Sequence, residues 1–178
     1  MKQFIFRHRL KSLKKSQNRD KKFVNYNNIR SVLIIYESDM NEKNPEIKSI
    51  AKLLQNDGKK VTTCGFSNKK KSDTPTLEHT YMIDASHVNF FGEPNMSFIK
   101  GLLNTKFDVV LDLTLSEILP LQYVLAYADA SFKTGRKTAN FDLLDFMIDV
   151  EKESSSAADV NYLFKQIIFY LKNIESHN

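Results

Sequence analysis

The stretch SVLIIY at residues 31–36 is an uninterrupted run of aliphatic and β-branched residues that ends in a polar loop. Such a run is typical of a strand that is covered on both faces, as in a parallel sheet. Asn44 and Pro45 then provide the start signals of a helix, and Gly58 provides its stop. The segment therefore predicts a strand, a loop and a helix in succession.

The same alternation continues to the C-terminus. Further strands are predicted near residues 60–66, 80–85, 107–113, 131–134 and 143–149, and further helices near residues 95–103, 118–129 and 160–174. Because strands alternate with helices, we expect a three-layer, Rossmann-like α/β sandwich with a mostly parallel sheet. A chain of 178 residues has the length of one domain, which we place at residues 23–178.

Charge is distributed unevenly along the chain. Residues 1–22 contain nine Lys or Arg and one acid, a balance of +8, whereas the remaining residues carry 17 bases and 20 acids, a balance of −3. The overall net charge of +5 therefore comes from an N-terminal basic arm, and any anionic partner is expected at this arm.

Apolar residues of the arm recur at helical spacing, so a helix would separate them from most of the bases. The contact residues that we predict for the arm are Phe4, Phe6, Arg7, Arg9, Leu10, Leu13, Lys14 and Lys15. The pattern fits an anionic membrane, a docking surface on the domain or on a partner protein, or a solvated extension without a target. Nucleic acid is disfavoured because the aromatic residues are grouped at one end and are not interleaved with the bases.

Composition excludes several classes of protein. One Cys, Cys64, cannot form an intramolecular disulfide or a Cys-rich zinc site, so a reducing, cytoplasmic compartment is the simplest expectation. The four His residues lack ligand spacing, and nucleotide, metal and nucleophile motifs such as GxGxxG, GxxxxGK[ST], HExxH and GxSxG are absent. We therefore predict no metal and no cofactor. No apolar run is long enough for a membrane span, and the charged N-terminus does not resemble a secretory signal.

Polar loops directly follow two of the predicted core strands. Ligands of such sheets bind beyond the carboxyl ends of the strands, near a switch in strand order. The candidate ligand-binding residues in these loops are Glu37, Ser38, Asp39, Asp112, Thr114, Ser116 and Glu117. Their carboxylates suit acid and base chemistry or a cation if the fold brings them together. Ordinary caps and turns are the alternative interpretation.

The segment SFKTGRK at residues 131–137 is a third candidate. Lys133, Arg136 and Lys137 flank Gly135, and this arrangement suits a phosphate or a carboxylate. The alternative is a turn with solvated bases. Elsewhere, we expect Cys64 to be buried, and the aromatic residues Tyr81, Phe90 and Phe91 to pack in the core.

Four segments together resemble a bacterial family of uncharacterised proteins: HVNFFGEP (87–94), residues 107–136, FDLLDFMIDV (141–150) and a C-terminal helix ending in QIIFYLKNI (166–174). The resemblance covers most of residues 29–174 and implies no activity.

A second, narrower resemblance concerns FDVVLDL, the following helix and DASFKTGR. These segments are similar to part of the acceptor-side Rossmann-like domain of heptosyltransferase-like glycosyltransferases. Those enzymes need a second, nucleotide-sugar domain, whereas about 40 residues follow Arg136 here.

Two functions follow from these observations. The first is a non-catalytic cytoplasmic binding or interaction module, whose basic arm contacts a protein partner or the inner face of the membrane. The alternative is a protein that binds a small ligand, a nucleotide or a sugar phosphate, or a transferase-like enzyme, at the strand-end loops. A homodimer is a further option, because a C-terminal helix with both Phe164 and Phe169 can expose one aromatic side.

Overall fold

The computed structural model describes residues 4–6, 8, 19–38, 44–68, 79–137, 143–150 and 160–174. Its strands are β1 (Ser31–Glu37), β2 (Lys60–Ser67), β3 (Thr80–Asp84), β4 (Lys106–Asp112), β5 (Asp129–Arg136) and β6 (Phe146–Ile148). Its helices are α1 (Pro45–Asn56), α2 (Lys100–Leu103), α3 (Leu119–Tyr127) and α4 (Val160–Asn173), with short 3₁₀ turns at Tyr26–Asn28 and Ala85–His87. Residues 4–6 and 8 are also helical.

The six strands form one parallel sheet in the order β3-β2-β1-β4-β5-β6. The chain builds outward from β1 in one direction, and then returns to the other side of β1 to place β4. This is the strand order of Rossmann-like folds, with its switch point between β1 and β4. The α/β class with a parallel sheet is therefore confirmed.

Each face of the sheet is covered by apolar side chains. On one face, α1 and α4 contribute Ile50, Leu54, Leu163 and Ile167 against strand residues such as Ile34 and Leu111. On the other face, Val124 and Leu125 of α3 and the segment at Leu143 and Leu144 pack in the cluster that contains Leu33 and Val110. Cys64 lies in this second cluster as predicted, and its burial raises the pKa of its thiol to about 12.

Three local predictions need correction. The helix expected near residues 95–103 is only the single turn α2, because the Asn95 side chain accepts a hydrogen bond from the Ser97 N–H (2.9 Å) and forms a turn first. The strand predicted at residues 131–134 is present but longer, since β5 spans Asp129–Arg136, and this excludes the alternative of a turn at residues 131–137. Asn44 precedes α1 without capping it, since its side-chain amide donates to Ser38 Oγ (2.9 Å).

The aromatic residues near residue 90 were also placed wrongly in the core. Phe90 is 69% exposed and Phe91 is 36% exposed, and both lie in a turn stabilised by the hydrogen bond from the Gly92 N–H to the Asn89 carbonyl (2.9 Å). A tight turn directs its central side chains outward, and hydropathy alone does not report that direction.

The described part of the N-terminal arm packs against the domain. Phe6 is only 1% exposed, and its ring meets Tyr123 of α3 edge-on at 4.7 Å, whereas Phe4 is 77% exposed. Near the arm's other end, the Lys22 N–H donates to the Ser131 carbonyl of β5 (3.0 Å). The predicted arm residues Arg7, Arg9, Leu10, Leu13, Lys14 and Lys15 lie outside the described residues.

Asp145 connects the arm to the edge of the sheet. The Arg19 guanidinium donates to both oxygens of the Asp145 carboxylate, and the Lys21 ammonium lies 3.2 Å from one of them. The same carboxylate accepts a hydrogen bond from the Lys133 N–H (2.9 Å).

Within the described ranges, no helix is long and apolar enough to cross a membrane.

Candidate functional site

The candidate site lies at the switch point, where β1 ends at Glu37 and β4 ends at Asp112. The two strands are direct neighbours, with Ile35 in register with Asp112. The Leu113 N–H also donates to the Ile35 carbonyl (2.9 Å), so the chain leaving β4 stays beside β1. Parallel pairing therefore places the loops that follow these strands at the same edge of the sheet.

Glu37 joins these two loops directly. Its carboxylate accepts a hydrogen bond from the Leu115 N–H (3.3 Å) and another from the Ser116 hydroxyl. Two of the residues singled out from sequence, Glu37 and Ser116, are thus in contact although 79 positions separate them. The fold brings the predicted loops together at the edge where Rossmann-like proteins bind ligands.

Asp112 forms the buried part of the site. Its Oδ1 accepts hydrogen bonds from the Thr114 N–H (3.1 Å) and the Thr114 hydroxyl (2.7 Å). Burial raises the pKa of the Asp112 carboxyl to about 6; the hydrogen bonds from Thr114 and the charge of Arg136 oppose the rise, and the charge of Glu37 adds to it. The carboxyl therefore changes its protonation state close to neutral pH.

A small pocket opens beside Asp112. Its volume of about 10 Å³ is the space for about one water molecule. The polar residues of its lining are Asp112, Thr114, Ser116, Glu117 and Gln122, and Leu121, Leu125, Leu143 and Leu144 contribute to its apolar walls. The predicted residues from the β4 loop, including Glu117, thus surround one cavity, with walls that sequence reasoning did not assign to the site.

The remaining predicted residues of the β1 loop have different positions. The Ser38 N–H donates to the Phe66 carbonyl (2.9 Å), and its hydroxyl is bound by Asn44, so Ser38 fixes the path of the loop. Asp39 lies outside the described residues. Within the described ranges, no group of three or more His, Cys, Asp or Glu side chains is arranged to hold a metal ion.

Of the three bases in the third candidate segment, two are used by the fold. The Lys133 ammonium donates to the carbonyl of Leu125 at the end of α3 (2.6 Å), and burial lowers its pKa to about 7. The Lys137 ammonium pairs with Asp149 (2.7 Å). By contrast, the buried Nε of Arg136 has no hydrogen-bond partner among the described residues. Arg136 is therefore the base of this segment whose hydrogen bonding is incomplete among the described residues, and its charge acts on Asp112.

Gly135 is a structural position beside the site that the sequence did not identify. It is in register with Asp112, and a Cβ atom at Gly135 would lie 2.7 Å from the Asp112 carbonyl oxygen. That distance is shorter than non-bonded atoms tolerate, so only glycine lets β5 pass this close to Asp112. The glycine beside Arg136 in the sequence was the available signal, but its meaning depends on the register of β4 and β5.

We expect Asp112→Asn to stabilise the protein at pH 7.5 by about 2 kcal/mol. The pKa of Asp112 is above its unfolded value, so the folded state holds the extra proton between about pH 4 and pH 6. Stability due to this group therefore falls as pH rises through that window. Asparagine keeps the acceptor for Thr114 and removes the buried charge. Urea unfolding at pH 4.5 and pH 7.5 measures the difference.

The control for this prediction is Asp149→Asn, which removes an exposed carboxylate from the end of the same sheet. It is expected to change the stability by less than about 0.5 kcal/mol at either pH. Two results would contradict the predicted cost of the buried charge. One is an Asp112→Asn variant that is less stable than the wild type at pH 7.5, and the other is an equal change in stability at both pH values.

Comparison with known proteins provides a family and no activity. No curated protein matches the chain. The model of a family described only as a family of unknown function (DUF6913) matches residues 2–174, which include the described part of the arm and every element of the sheet. The predicted resemblance to a family of uncharacterised proteins is thereby confirmed, and the chain belongs to DUF6913.

Proposed function

We propose that the protein binds a sugar phosphate at the switch point between β1 and β4. The observation that carries this proposal is the convergence of Glu37 with the loop after β4, beside the buried Asp112, at the edge where this strand order binds ligands. The proposal keeps the ligand-binding function expected of the strand-end loops, and it assigns the ligand's groups to particular side chains.

The side chains of the site suit the two halves of such a ligand. Carboxylates such as Glu37 accept hydrogen bonds from sugar hydroxyls, and the Ser116 hydroxyl both donates and accepts. Arg136 supplies a planar guanidinium, which matches phosphate oxygens. The Nε of this guanidinium is buried, so a phosphate would be received by its outer nitrogens, and its charge acts on Asp112 beside the pocket.

The size of the pocket limits where the ligand lies. A volume of about 10 Å³ admits a water-sized group and no sugar ring. We therefore place the ring outside the pocket, over the ends of β1 and β4, with one hydroxyl directed towards Asp112.

Isothermal titration calorimetry tests the proposal with ribose 5-phosphate and glucose 6-phosphate as probes. We expect saturable binding by the wild-type protein, and an affinity reduced by about tenfold or more in Arg136→Gln and in Glu37→Gln. Lys137→Gln is the matched control, because it removes a base one residue away that pairs with Asp149. Absence of binding for both probes, or equal losses in all three variants, would refute the proposed site.

A second candidate function concerns the basic arm, which we propose contacts an anionic membrane surface. The arm carries a balance of +8 and is held at both of its described ends, by Phe6 and by Arg19. The exposed Phe4 beside the anchored Phe6 gives this surface an apolar group that can enter the interface. Clustered bases contribute about 1 kcal/mol each near anionic lipid.

Co-sedimentation of the full chain with phosphatidylglycerol vesicles and with phosphatidylcholine vesicles tests this candidate. We expect pelleting with the anionic vesicles only, lost in the double variant Lys14→Glu, Lys15→Glu. The double variant Lys48→Glu, Lys52→Glu on α1 is the control for net charge and is expected to pellet like the wild type. Equal pelleting with both lipids, or none with either, would exclude an electrostatic membrane contact through the arm.

A further inference from the structure

A second, larger hollow lies beside a hairpin at residues 87–95, after the end of β3. Val88 and Pro94 form an antiparallel bridge, the Asn95 N–H donates to the His87 carbonyl (2.7 Å), and the Asn89 N–H donates to the Glu93 carbonyl (2.9 Å). The hollow has a volume of about 470 Å³. That volume is within the range of small-molecule sites in proteins, and is far larger than the pocket beside Asp112.

His87 is held in a fixed orientation at this hollow. Its ring stacks on Phe98 at 3.9 Å between centroids and 21° between planes. Its Nδ1 lies 3.1 Å from Asp84 Oδ1 and 3.3 Å from the Asp84 backbone nitrogen. These contacts engage one ring nitrogen with Asp84, so Nε2 is the ring atom that can serve a ligand.

Glu93 is held in a similar way from the opposite strand of the hairpin. The Tyr127 hydroxyl of α3 donates to one oxygen of its carboxylate (2.9 Å), and the Asn89 side-chain amide donates to the other (3.3 Å). The contact between Asn89 and Glu93 places both side chains on the same side of the hairpin. A rigid carboxylate supported by neutral donors is arranged for hydrogen bonding to a ligand.

The lining of the hollow defines the ligand's chemistry. Its polar residues are Ser86, His87, Asn89, Glu93 and Asn95, and none of the described residues that line it is Lys or Arg. An anionic ligand would find no cationic partner, whereas hydroxyl groups can donate to the carboxylate and accept from the amides. Val88, Pro94 and Met96 add apolar walls, which suit the C–H groups of a sugar.

We propose that this hollow binds a neutral, hydroxyl-rich ligand of monosaccharide size. The inference does not depend on the sugar phosphate site, because no residue that lines the hollow belongs to the pocket at Asp112. It assigns His87 and Glu93 as the binding side chains, with Asn95 as a third polar group. It also gives a use to the sequence HVNFFGEP, which the fold does not need for its sheet.

Titration of ¹⁵N-labelled full-length protein tests the proposal with D-glucose, D-galactose, D-mannose and myo-inositol as probes. We expect at least one probe to cause saturable amide shifts at residues 86–96, and to bind about fivefold or more weakly to Glu93→Gln, which loses a charged acceptor at nearly constant shape. Glu46→Gln on α1 is the matched control and is expected to keep the wild-type affinity.

His87→Gln provides a second variant that retains a hydrogen-bonding side chain, and its folding is checked by the unchanged amide shifts of β1 and β4. We expect the same loss of affinity as in Glu93→Gln. The proposal is overturned if no probe gives a saturable shift, if shifts occur at residues 112–116 instead, or if Glu93→Gln binds as the wild type does. Loss of binding in Glu37→Gln, with Glu93→Gln unchanged, would assign the sugar to the other site.

Discussion

Phe6→Ala is expected to lower the free energy of unfolding by about 3 to 5 kcal/mol. Phe6 is among the largest fully buried side chains among the described residues, and it packs edge-on against Tyr123 in the core layer that contains α3. Alanine would remove this ring contact and leave a cavity that the rigid sheet cannot close. Urea unfolding at constant pH and salt measures the loss.

Phe4→Ala is the matched control, because it removes the same side chain two residues earlier from a position that is 77% exposed. It is expected to change the stability by less than about 0.5 kcal/mol. An equally small effect of Phe6→Ala would mean that the arm contributes nothing to the core. A large effect of Phe6→Ala alone would also mean that Phe6 is unavailable to a membrane while the arm is docked.

The fold was predictable because its decisive signals are local. The apolar runs at residues 31–36 and 107–113 and the stripe at residues 160–174 are each long enough to identify a strand or a helix without knowledge of the partner. The strand β5 was underestimated because Lys133 reads as a turn or surface residue. Its ammonium is buried only because the end of α3 supplies the Leu125 carbonyl, which is a tertiary contact.

The site was predictable in part for a related reason. Polar residues at the ends of β1 and β4 can be recognised along the chain, but their proximity depends on a strand order that pairs β1 with β4 across more than 70 positions. The close approach of Gly135 to Asp112 likewise depends on a tertiary feature, the register of β4 with β5. The hollow beside the hairpin was not predicted. Phe90 and Phe91 are apolar, so the sequence placed them in the core, whereas the turn between Asn89 and Gly92 exposes their side chains.

In the arm, too, the sequence does not show which single residue makes the tertiary contact. Helical spacing groups Phe4 and Phe6 together as contact residues, and it does not distinguish the one that enters the core. That distinction depends on the surface of α3, where the edge of the Tyr123 ring is available. The sequence therefore predicted an arm with an apolar side, and the surface that receives it required the structure.

Asp145→Ala is expected to destabilise the protein by about 3 to 5 kcal/mol, because it removes one partner of a buried ion pair. The side chains of Arg19 and Asp145 are only 10% and 12% exposed, so the guanidinium would be left largely desolvated. The variant also removes the acceptor for the Lys133 N–H, which holds the segment before β6 against β5. We expect the arm to detach, so trypsin should cleave within residues 1–22 faster than in the wild type.

Asp149→Ala is the control for this variant. The Asp149 carboxylate forms an ion pair that is mostly exposed, so its loss is expected to cost less than about 1 kcal/mol.

Acid unfolding provides an independent check. Burial alone would raise the pKa of Asp145, but the hydrogen bonds from Arg19 and the Lys133 N–H outweigh burial and lower it. A carboxyl whose folded pKa is depressed contributes stability above its unfolded pKa of about 3.9, and that contribution is lost as pH falls through the folded value. The wild type should therefore lose stability below about pH 4 more steeply than Asp145→Ala. If the stabilities of the two proteins fell equally steeply with pH below about pH 4, the assigned role of Asp145 would be contradicted.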